Sequence, residues 1–438
     1  MPPVSTLPAT LSLRLREWQQ IGPQEEPGLA GYAFPSPNAR DTARNLTTSG
    51  RVEFLELREG LSIQTRQYVG SLQLGDLRLT ILPKINGLPL LNLLRYTYHL
   101  RHFDLFSPLD FGAETTAFQD ILIQQLALEA AELLERGLHR RYERVNEKLL
   151  SPRGRIDFGI LTRQGGLREA ALPCTHFVRL ENNLLNQSLL AGLQLAAGLT
   201  SHLGLRAQLR QSVRILLQSV AQIRLTSQLL ERAFASINRL THTYQPALQI
   251  IRLLLDGLGM SLEQEQAQIR LPGFLFDMNR FFQALLDRFL RENLEGYTLR
   301  SEYQLQDMLH YHHQHNPYRW SVPRPRPDFA ILAGEKVVAL LDAKYRDIGQ
   351  HGLPREMLYQ LAFYASSQDR PGLATILYPT VTEGYEAWLE IAHPVSGQPI
   401  SRVILRPVNL YVLERMITMG TQAQRSVFAH RMAFGEAR

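Results

Sequence analysis

Apolar and polar positions alternate in short runs along the first part of the chain. Residues 11–16 (LSLRLR) alternate strictly, and residues 51–57, 61–65 and 70–83 repeat the pattern with glycines between them. A period of two indicates half-buried β-strands. Residues 35–44 interrupt the pattern with a polar stretch that we interpret as a loop. We predict a small β-rich domain, a barrel or a sandwich, whose role is either binding or scaffolding.

Helical spacing of apolar residues replaces this alternation in the middle of the chain. It runs from residue 89 to about residue 147 and again from residue 180 to residue 255. Stripes of this kind are typical of helices that pack in a core. Between them, residues 153–158 and 170–178 have the composition of two strands. We predict a mostly helical region that carries a β-hairpin finger near residues 153–178.

The last part of the chain combines both periods. Residues 329–341 contain two nearly continuous apolar runs around a polar turn at Gly334, which predicts a β-hairpin covered on both faces. The length of 438 residues suggests two or three domains. The other predicted elements are helices at residues 274–292 and 354–365 and strands at residues 299–305, 374–379 and 401–405.

These changes of pattern divide the chain into three predicted domains. We expect an α+β multidomain protein with a β-rich domain at residues 1–95 and a helical region at residues 96–265. A mixed α/β domain at residues 266–438 follows, and it contains the hairpin.

Three charged residues lie at one end of the predicted hairpin. Asp342 and Lys344 are two residues apart, so on a strand they project from the same face at roughly 6–7 Å. Asp328 opens the neighbouring strand, and an antiparallel register places it beside Asp342. Buried carboxylates are costly unless they are paired or bind a metal, and Mg²⁺ takes carboxylate oxygens. The residues therefore indicate metal-assisted phosphodiester hydrolysis, with Lys344 near the attacking water; a solvated Asp-Lys pair is the alternative.

A family resemblance supports the hydrolytic interpretation. Pro327-Asp328, thirteen residues and then Asp342-Ala343-Lys344 resemble the PD-(D/E)xK nuclease signature. Further segments in the same order resemble the McrC family, the nuclease subunit of McrBC-type 5-methylcytosine-specific restriction systems. The resemblance covers most of the chain from about residue 69 to residue 379. The segments that carry it are residues 82–85, 153–158, 274–279, 342–345, 359–364 and 376–379.

The resemblance implies a fold and a reaction for the C-terminal domain. Residues 266–438 would form a PD-(D/E)xK nuclease core that hydrolyses double-stranded DNA with Mg²⁺ or Mn²⁺. The catalytic residues would be Asp328, Asp342 and Lys344, and the metal ligands would be Asp328, Asp342 and Ala343.

We predict four supporting residues, of which Gln283 follows from the resemblance and Gln360 and Tyr364 follow from their spacing on one helix. The first helix of such a core often offers a glutamate to the metal, but Gln283 stands at the matching position, which leaves Glu302 or water to complete the shell. Gln360 and Tyr364 lie four residues apart on one helix face. We predict that they face the site and orient a DNA phosphate or a water; packing alone is the alternative for Tyr364.

The resemblance also implies a protein partner. No GxxxxGK[ST] motif occurs in the chain, so it is not itself a nucleotide-driven motor. Nucleotide hydrolysis and recognition of methylated cytosine would belong to a McrB-like AAA+ GTPase oligomer that this chain stimulates, with residues 96–265 as the docking region. The alternative for the finger near residues 153–178 is an ordinary hairpin whose arginines are solvated and contact no partner. The predicted contact residues are Arg153, Arg155, Arg163 and Arg168.

The composition allows a nucleic-acid partner and excludes several other kinds of protein and site. The net charge is +6, and it comes almost entirely from arginine, whose planar group suits phosphate. Cys174 is the only cysteine, which excludes an internal disulfide and a cysteine-based zinc site. No apolar run approaches membrane-spanning length and no secretion signal occurs, so we expect a cytoplasmic protein without a membrane partner.

Three other interpretations stay open. A histidine cluster in a loop, His310, His312, His313 and His315, could bind a metal, although no carboxylate lies beside it in the sequence. The chain could be a PD-(D/E)xK nuclease of another DNA-processing or defence system, which the upstream segments argue against. It could also be a non-catalytic adaptor with a degenerate nuclease fold, which the intact acidic residues argue against.

Overall fold

The computed structural model gives the positions of most of the chain. None of the helices in the described residues combines the length and the apolar composition needed to cross a membrane. Helices and several sheets occur together, so the mixed α and β character predicted from the sequence is confirmed. The structure describes residues 11–85, 87–100, 118–163, 170–200, 202–258, 273–305, 308–312, 315–316, 318–346, 348–368 and 372–435.

Strands and helices are numbered in chain order. The strands are β1 (Leu11–Arg16), β2 (Gln20–Ile21), β3 (Val52–Leu57), β4 (Gly60–Thr65), β5 (Tyr68–Leu74), β6 (Leu77–Leu82), β7 (Arg141–Leu149), β8 (Arg155–Ile156), β9 (Leu172–Leu180), β10 (Gly273–Asp277), β11 (Thr298–Ser301), β12 (Phe329–Ala333), β13 (Lys336–Ala343), β14 (Gly372–Thr380), β15 (Ala387–Ala392) and β16 (Pro399–Asn409). The helices are α1 (Pro37–Thr48), α2 (Gly87–Tyr98), α3 (Phe118–Arg136), α4 (Phe158–Arg163), α5 (Leu184–Leu199), α6 (Leu203–Leu216), α7 (Ser227–Ala235), α8 (Gln245–Gly257), α9 (Met278–Asn293), α10 (Ile348–His351), α11 (Arg355–Ser366), α12 (Leu410–Met419) and α13 (Gln422–Phe434).

The chain divides into two compact units. Met1–Glu114 and Leu275–Arg438 together form one of them, which we call the discontinuous unit. Thr115–Phe274 forms the other, which we call the inserted unit. The first and the third of the predicted domains therefore contribute to the same compact unit.

Two small sheets occupy the N-terminal part of the discontinuous unit. Their strand orders are β1-β6-β5-β10 and β2-β4-β3. Within the first sheet, β1 runs parallel to β6. Leu13 and Leu15 are buried while Arg14 and Arg16 are exposed, so the strict alternation of the sequence is also the burial pattern of β1. The β-rich character predicted for this segment is therefore present.

The polar stretch at residues 35–44 is not a loop, because α1 begins at Pro37. The Ser36 hydroxyl accepts a hydrogen bond from the N–H of Ala39 and caps the helix. Proline suits the first helical turn, where its missing N–H has no partner to lose. The Ser-Pro pair was the signal in the sequence, and the polar residues that follow it form the exposed face of the helix.

The single helix predicted at residues 274–292 is also wrong at its start. Residues 273–277 form β10, the fourth strand of the N-terminal sheet. Asp277 then caps α9 by accepting hydrogen bonds from the N–H groups of Asn279 and Arg280. The buried apolar run before Asp277 suits a strand covered on both faces.

A six-stranded mixed sheet forms the C-terminal part of the discontinuous unit. Its order is β11-β12-β13-β14-β16-β15. The predicted hairpin is β12 and β13, joined by a turn in which Gly334 has a positive φ of 63°. The strands β13, β14 and β16 are parallel to one another. Helix α11 packs on the sheet through Leu361, Tyr364 and Ala365, which share a buried cluster with residues of β12, β13, β14 and β16.

Helices α3, α5, α6 and α8 pack against one another in the inserted unit. A three-stranded antiparallel sheet, β7-β9-β8, accompanies them, and we call it the finger sheet. Strands β8 and β9 lie in the segment predicted as a hairpin, but residues 158–163 form the short helix α4. Strand β7 lies where the helical pattern was extended to residue 147. Its RYERVNEKL sequence is mostly exposed, and pairing with β9 along its whole length stabilises it as a strand.

Candidate active site

Asp328, Asp342 and Lys344 meet where β12 begins and β13 ends. The register that pairs Phe329 with Leu341 puts Asp328 beside Asp342. The Lys344 ammonium lies 2.9 Å from Asp342 Oδ2 and 3.8 Å from Asp328 Oδ2. The Asp342 side chain is only 2% exposed. The structure thus brings the three residues into one largely buried cluster, as the alternation of β13 and the antiparallel register require.

Both carboxylate oxygens of Asp328 accept hydrogen bonds, whereas only one of the carboxylate oxygens of Asp342 has a partner among the described residues. The Ala343 N–H donates to Asp328 Oδ2 at 2.7 Å, and the Gln283 amide donates to Asp328 Oδ1 at 3.0 Å. Asp342 Oδ2 contacts Lys344, but Asp342 Oδ1 is buried and has no hydrogen-bond partner among the described residues. A buried carboxylate oxygen without a partner is costly, so this atom is a ready ligand for a cation.

The electrostatics of the cluster favour an additional positive charge. Burial raises the pKa of Asp328 to about 6, and the neighbouring Asp342 carboxylate adds to the rise. Burial likewise raises the pKa of Asp342. Burial opposes the charge on Lys344, yet the carboxylates of Asp342 and Asp328 raise its pKa above the usual value. The single ammonium of Lys344 therefore faces two buried carboxylates, Asp328 and Asp342, and a bound cation would balance the second negative charge.

The donor set fits Mg²⁺ rather than a metal that needs many protein ligands. Among the described residues, no group of three or more His, Cys, Asp or Glu side chains converges on one point. Mg²⁺ typically uses one or two carboxylates and keeps waters and substrate phosphate as its other ligands. Asp328 and Asp342 meet that requirement, and Ala343 has only its main-chain carbonyl to offer. The histidine cluster predicted as a possible metal site does not provide such a group, and His313 lies outside the described residues.

Gln283 and Glu302 approach Asp328 from different elements. Gln283 lies on α9 and holds Asp328 as a hydrogen-bond donor, which an ionised glutamate at that position could not do. The N–H of Glu302 donates to the carbonyl of Asp328 at 2.8 Å, and its backbone is left-handed with a φ of +49°. The charge of Glu302 also contributes to the raised pKa of Asp328. Both residues thus lie beside the cluster.

Gln360 and Tyr364 form a chain of hydrogen bonds from α11 to the segment before Asp328. The Gln360 amide donates to the Tyr364 hydroxyl at 2.6 Å, and that hydroxyl donates to the carbonyl of Arg326 at 2.9 Å. Gln360 is exposed, whereas Tyr364 belongs to the buried cluster under α11. Burial raises the pKa of Tyr364, and the charge of Asp342 adds to the effect. Tyr364 therefore packs in the core and also fixes the backbone two residues before Asp328.

The buried carboxylate of Glu17 contacts Tyr345, the residue after Lys344, and nothing in the neighbouring sequence predicts this contact. The N–H of Tyr345 donates to Asn279 Oδ1 at 2.9 Å, and its hydroxyl donates to Glu17 Oε1 at 3.0 Å. The N–H of Lys84 donates to the same Glu17 oxygen at 2.6 Å. Asn279 and Tyr345 lie in segments that carry the family resemblance, so the sequence did contain a signal for these two residues. Glu17 follows an ordinary strand and could be found only from the structure.

The predicted partner-binding arginines lie on or beside the finger sheet. Arg155 is on β8, Arg153 precedes that strand, and Arg163 ends α4; all three are exposed. Arg168 lies outside the described residues. Exposed Tyr142 completes a sheet that presents charged and aromatic groups to solvent.

The base of the finger sheet is anchored by a polar network inside the inserted unit. The Asn186 amide donates to the carbonyls of His139 and Glu181, at 2.9 Å and 2.6 Å, just before β7 and just after β9. The Tyr244 hydroxyl donates to Asn186 Oδ1 at 2.6 Å and accepts from the N–H of His139 at 2.9 Å. Asn183 caps α5 and also binds the His139 carbonyl. Strand β7 thus begins, and strand β9 ends, at this hydrogen-bonded base.

Comparison with known proteins places the chain in a family. A family profile described as "McrBC 5-methylcytosine restriction system component" matches residues 63–379, well over half of the chain. The chain therefore belongs to the family of McrBC 5-methylcytosine restriction system components. No curated protein gives a significant match.

Two solved structures from Thermococcus gammatolerans are similar to this chain. One is a refined half-complex from a tetradecameric assembly of McrB AAA+ hexamers with bound McrC; it is 19% identical, covers 95% of this chain and 99% of the matched chain, and has a TM-score of 0.62. The other is a cryo-EM structure of the McrBC complex, 18% identical over 64% of this chain and 88% of the matched chain, with a TM-score of 0.47. The first shows a shared fold over nearly the whole chain. Together with the family match, it confirms the McrC resemblance seen in the sequence.

Proposed function

We propose that this chain is the DNA endonuclease subunit of a modification-dependent restriction complex. It hydrolyses phosphodiesters of double-stranded DNA with Mg²⁺ or Mn²⁺, and it works with a McrB-like AAA+ GTPase whose activity it stimulates. The observation that supports the chemistry best is the buried, unpaired Asp342 Oδ1 beside Asp328 and Lys344. The β12–β13 hairpin between α9 and α11 also supports a core of the PD-(D/E)xK type.

Each residue of the cluster has a separate task in this proposal. Asp328 and Asp342 would hold the metal, which supplies Lewis-acid stabilisation of the phosphoryl oxygen and lowers the pKa of a bound water. Lys344 keeps its ammonium between the carboxylates, where it offsets negative charge that develops on the phosphate. Gln283 and the N–H of Ala343 fix the orientation of Asp328. Tyr364 fixes the backbone that leads into Asp328.

The test compares cleavage with metal binding in the full-length chain. Asp328→Ala, Asp342→Ala and Lys344→Ala are each expected to abolish cutting of methylated duplex DNA in the presence of the GTPase, while the complex still forms. The two aspartate variants are also expected to lose Mn²⁺ binding measured by calorimetry. Glu335→Gln, an exposed carboxylate at the opposite end of the same hairpin, serves as the control. Wild-type cutting by Asp342→Ala would remove the basis of the proposal.

The GTPase partner is supported by the fold shared with the McrC-containing assembly. The finger sheet is the best candidate for the contact, because it projects exposed arginines from an anchored base. An arginine supplied by a partner stabilises charge during nucleotide hydrolysis or organises the residues that do so. Stimulation of GTP hydrolysis by the full-length chain, followed as phosphate release, tests this part of the proposal separately from DNA cleavage.

A further inference from the structure

An exposed aromatic stack lies in the loop between β11 and β12. The rings of Tyr318 and Trp320 are nearly parallel, 5.1 Å apart with 23° between their planes, and Tyr311 leans on Trp320 at 6.2 Å. Tyr318 is 74% exposed and Trp320 is 59% exposed. Large aromatic side chains normally gain stability from burial, so a solvent-exposed pair indicates a surface made for contact.

The turn that carries the stack is fixed by its own hydrogen bonds. The Asn316 side chain accepts from the N–H of Trp320 at 2.9 Å and donates to its carbonyl at 3.1 Å. Arg319, between the two rings, adopts a left-handed backbone with a φ of +51°, which is uncommon outside glycine. The backbone that carries Trp320 is therefore constrained before any ligand arrives, which lowers the entropy lost on binding.

The segment of the loop that carries the stack is positively charged, whereas the acidic residues of the loop, Glu302, Asp307 and Asp328, lie outside that segment. Residues 308–327 contain no aspartate or glutamate, but they include Arg319, Arg324 and Arg326. All three arginines are exposed. Aromatic faces for bases and guanidinium groups for phosphates are the combination with which proteins hold unstacked nucleic-acid strands.

The loop is connected directly to the candidate active site. The N–H of Leu305 donates to the carbonyl of Pro325 at 3.0 Å, and the N–H of Glu302 donates to that of Asp328 at 2.8 Å, so the two ends of the loop are joined. Trp320 lies eight positions before Asp328, a span of at most about 29 Å along the chain. A DNA strand cut at Asp328 is therefore within range of the stack.

We propose that Tyr318 and Trp320 are a stacking surface for an unstacked DNA base near the cleaved phosphodiester, with Arg319 on the adjoining phosphate. This inference rests on the proposed nuclease function and adds a binding site to it. Bases inside an intact duplex already stack on their neighbours, so the occupant is a base exposed at a strand end or at a locally opened step.

The experiment measures binding of the full-length chain to oligonucleotides, with Ca²⁺ in place of Mg²⁺ so that the DNA stays intact. The probes are a single strand carrying 2-aminopurine and a blunt duplex of the same sequence. Tyr318→Ala/Trp320→Ala is expected to bind the single strand roughly tenfold or more weakly and to lose the 2-aminopurine quenching. Tyr318→Phe/Trp320→Phe retains two rings and is expected to behave as the wild type. Tyr385→Ala removes another exposed ring and serves as the control.

The outcomes separate this inference from the proposed function. Unchanged single-strand affinity and quenching in the double alanine variant, with normal cutting, overturns the stacking surface and leaves the nuclease intact. Loss of the GTPase complex with unchanged DNA binding assigns the surface to a protein partner and also overturns it. A wild-type chain that neither binds nor cuts DNA, alone or with the GTPase, refutes the proposed function and the stacking surface together.

Discussion

The hydroxyl of Tyr345 donates a 3.0 Å hydrogen bond to Glu17 across 328 residues of sequence. Tyr345 directly follows Lys344, so the contact holds the segment that positions the ammonium. Glu17 directly follows β1 and is buried, and the N–H of Lys84 binds the same oxygen. The N-terminal sheet thus supports the candidate active site within the discontinuous unit.

Glu17 predicts a pH dependence of stability. Burial raises the pKa of Glu17 to about 7, against the lowering effect of Lys84 and Tyr345. A carboxyl whose pKa is raised on folding contributes fully to stability below its unfolded pKa, and the contribution is lost as pH rises through about 7. Between about pH 5 and pH 8, urea unfolding of the wild type is expected to lose on the order of 3 kcal/mol more stability than Glu17→Gln.

Glutamine keeps an oxygen that accepts from Lys84 and Tyr345, so the comparison isolates the charge. Parallel pH profiles for the wild type and Glu17→Gln would show that the buried carboxyl is not the titrating group.

Lys344→Met predicts a loss of stability that a divalent cation restores. Without the ammonium, the buried carboxylates of Asp328 and Asp342 repel each other. The free energy of unfolding is expected to fall by roughly 3–5 kcal/mol. Mn²⁺ or Ca²⁺ replaces the missing positive charge, so added metal is expected to raise the melting temperature of this variant more than that of the wild type. Lys336→Met, at the exposed end of the same strand, is the control. Equal melting temperatures for both variants in chelator would contradict the prediction.

Tyr364→Phe and Gln360→Ala separate packing from positioning. The phenylalanine variant keeps the ring in the core but leaves the Arg326 carbonyl without its donor, so we expect a loss of about 1 kcal/mol in stability and slower DNA cleavage. Gln360→Ala leaves the Tyr364–Arg326 hydrogen bond in place and tests whether the exposed amide orients phosphate or water. Single-turnover cleavage rates measure both. A wild-type rate for Gln360→Ala ends its orienting role.

Gly154 predicts a steric requirement in the finger sheet. Its φ is +69°, and a Cβ there would lie 2.4 Å from the Thr175 carbonyl oxygen. Gly137 has a similar φ of +87° but open space around it. Gly154→Ala is therefore expected to reduce both thermal stability and stimulation of the GTPase, whereas Gly137→Ala pays only the backbone term of about 1 kcal/mol. Equal effects of the two substitutions would show that the Thr175 contact is unimportant.

Charge reversal tests the arginines of the finger. Glutamate at Arg153, Arg155, Arg163 and Arg168 together is expected to weaken stimulation of GTP hydrolysis while Mn²⁺ binding at the nuclease site stays unchanged. Arg214→Glu, on the exposed face of α6, is the control within the same unit. Phosphate release is measured over a titration of the full-length chain into the GTPase. Full stimulation by the quadruple variant would exclude these arginines from the contact.

The sequence predicted the elements whose signals are local. The apolar runs around Gly334 specified the β12–β13 hairpin, and alternation along β13 placed Asp342 and Lys344 on one face. Prediction from the sequence failed for elements whose pairing partners lie far away in the chain. Strand β7 is mostly exposed and needs β9 to exist, and β10 reads as the start of a helix until β5 is beside it. Glu17 is the extreme case, because nothing near it distinguishes it from a solvated residue.

The discontinuous unit has a consequence for synthesis of the chain. The N-terminal sheet lacks β10, and Glu17 lacks Tyr345, until a ribosome has passed the whole inserted unit. Contacts so distant in sequence form late and slowly. A nascent or prematurely terminated chain could complete the inserted unit, with its finger sheet, while its carboxylate cluster is still unassembled. Translation order would thus make the proposed partner-docking part available before the candidate active site has formed.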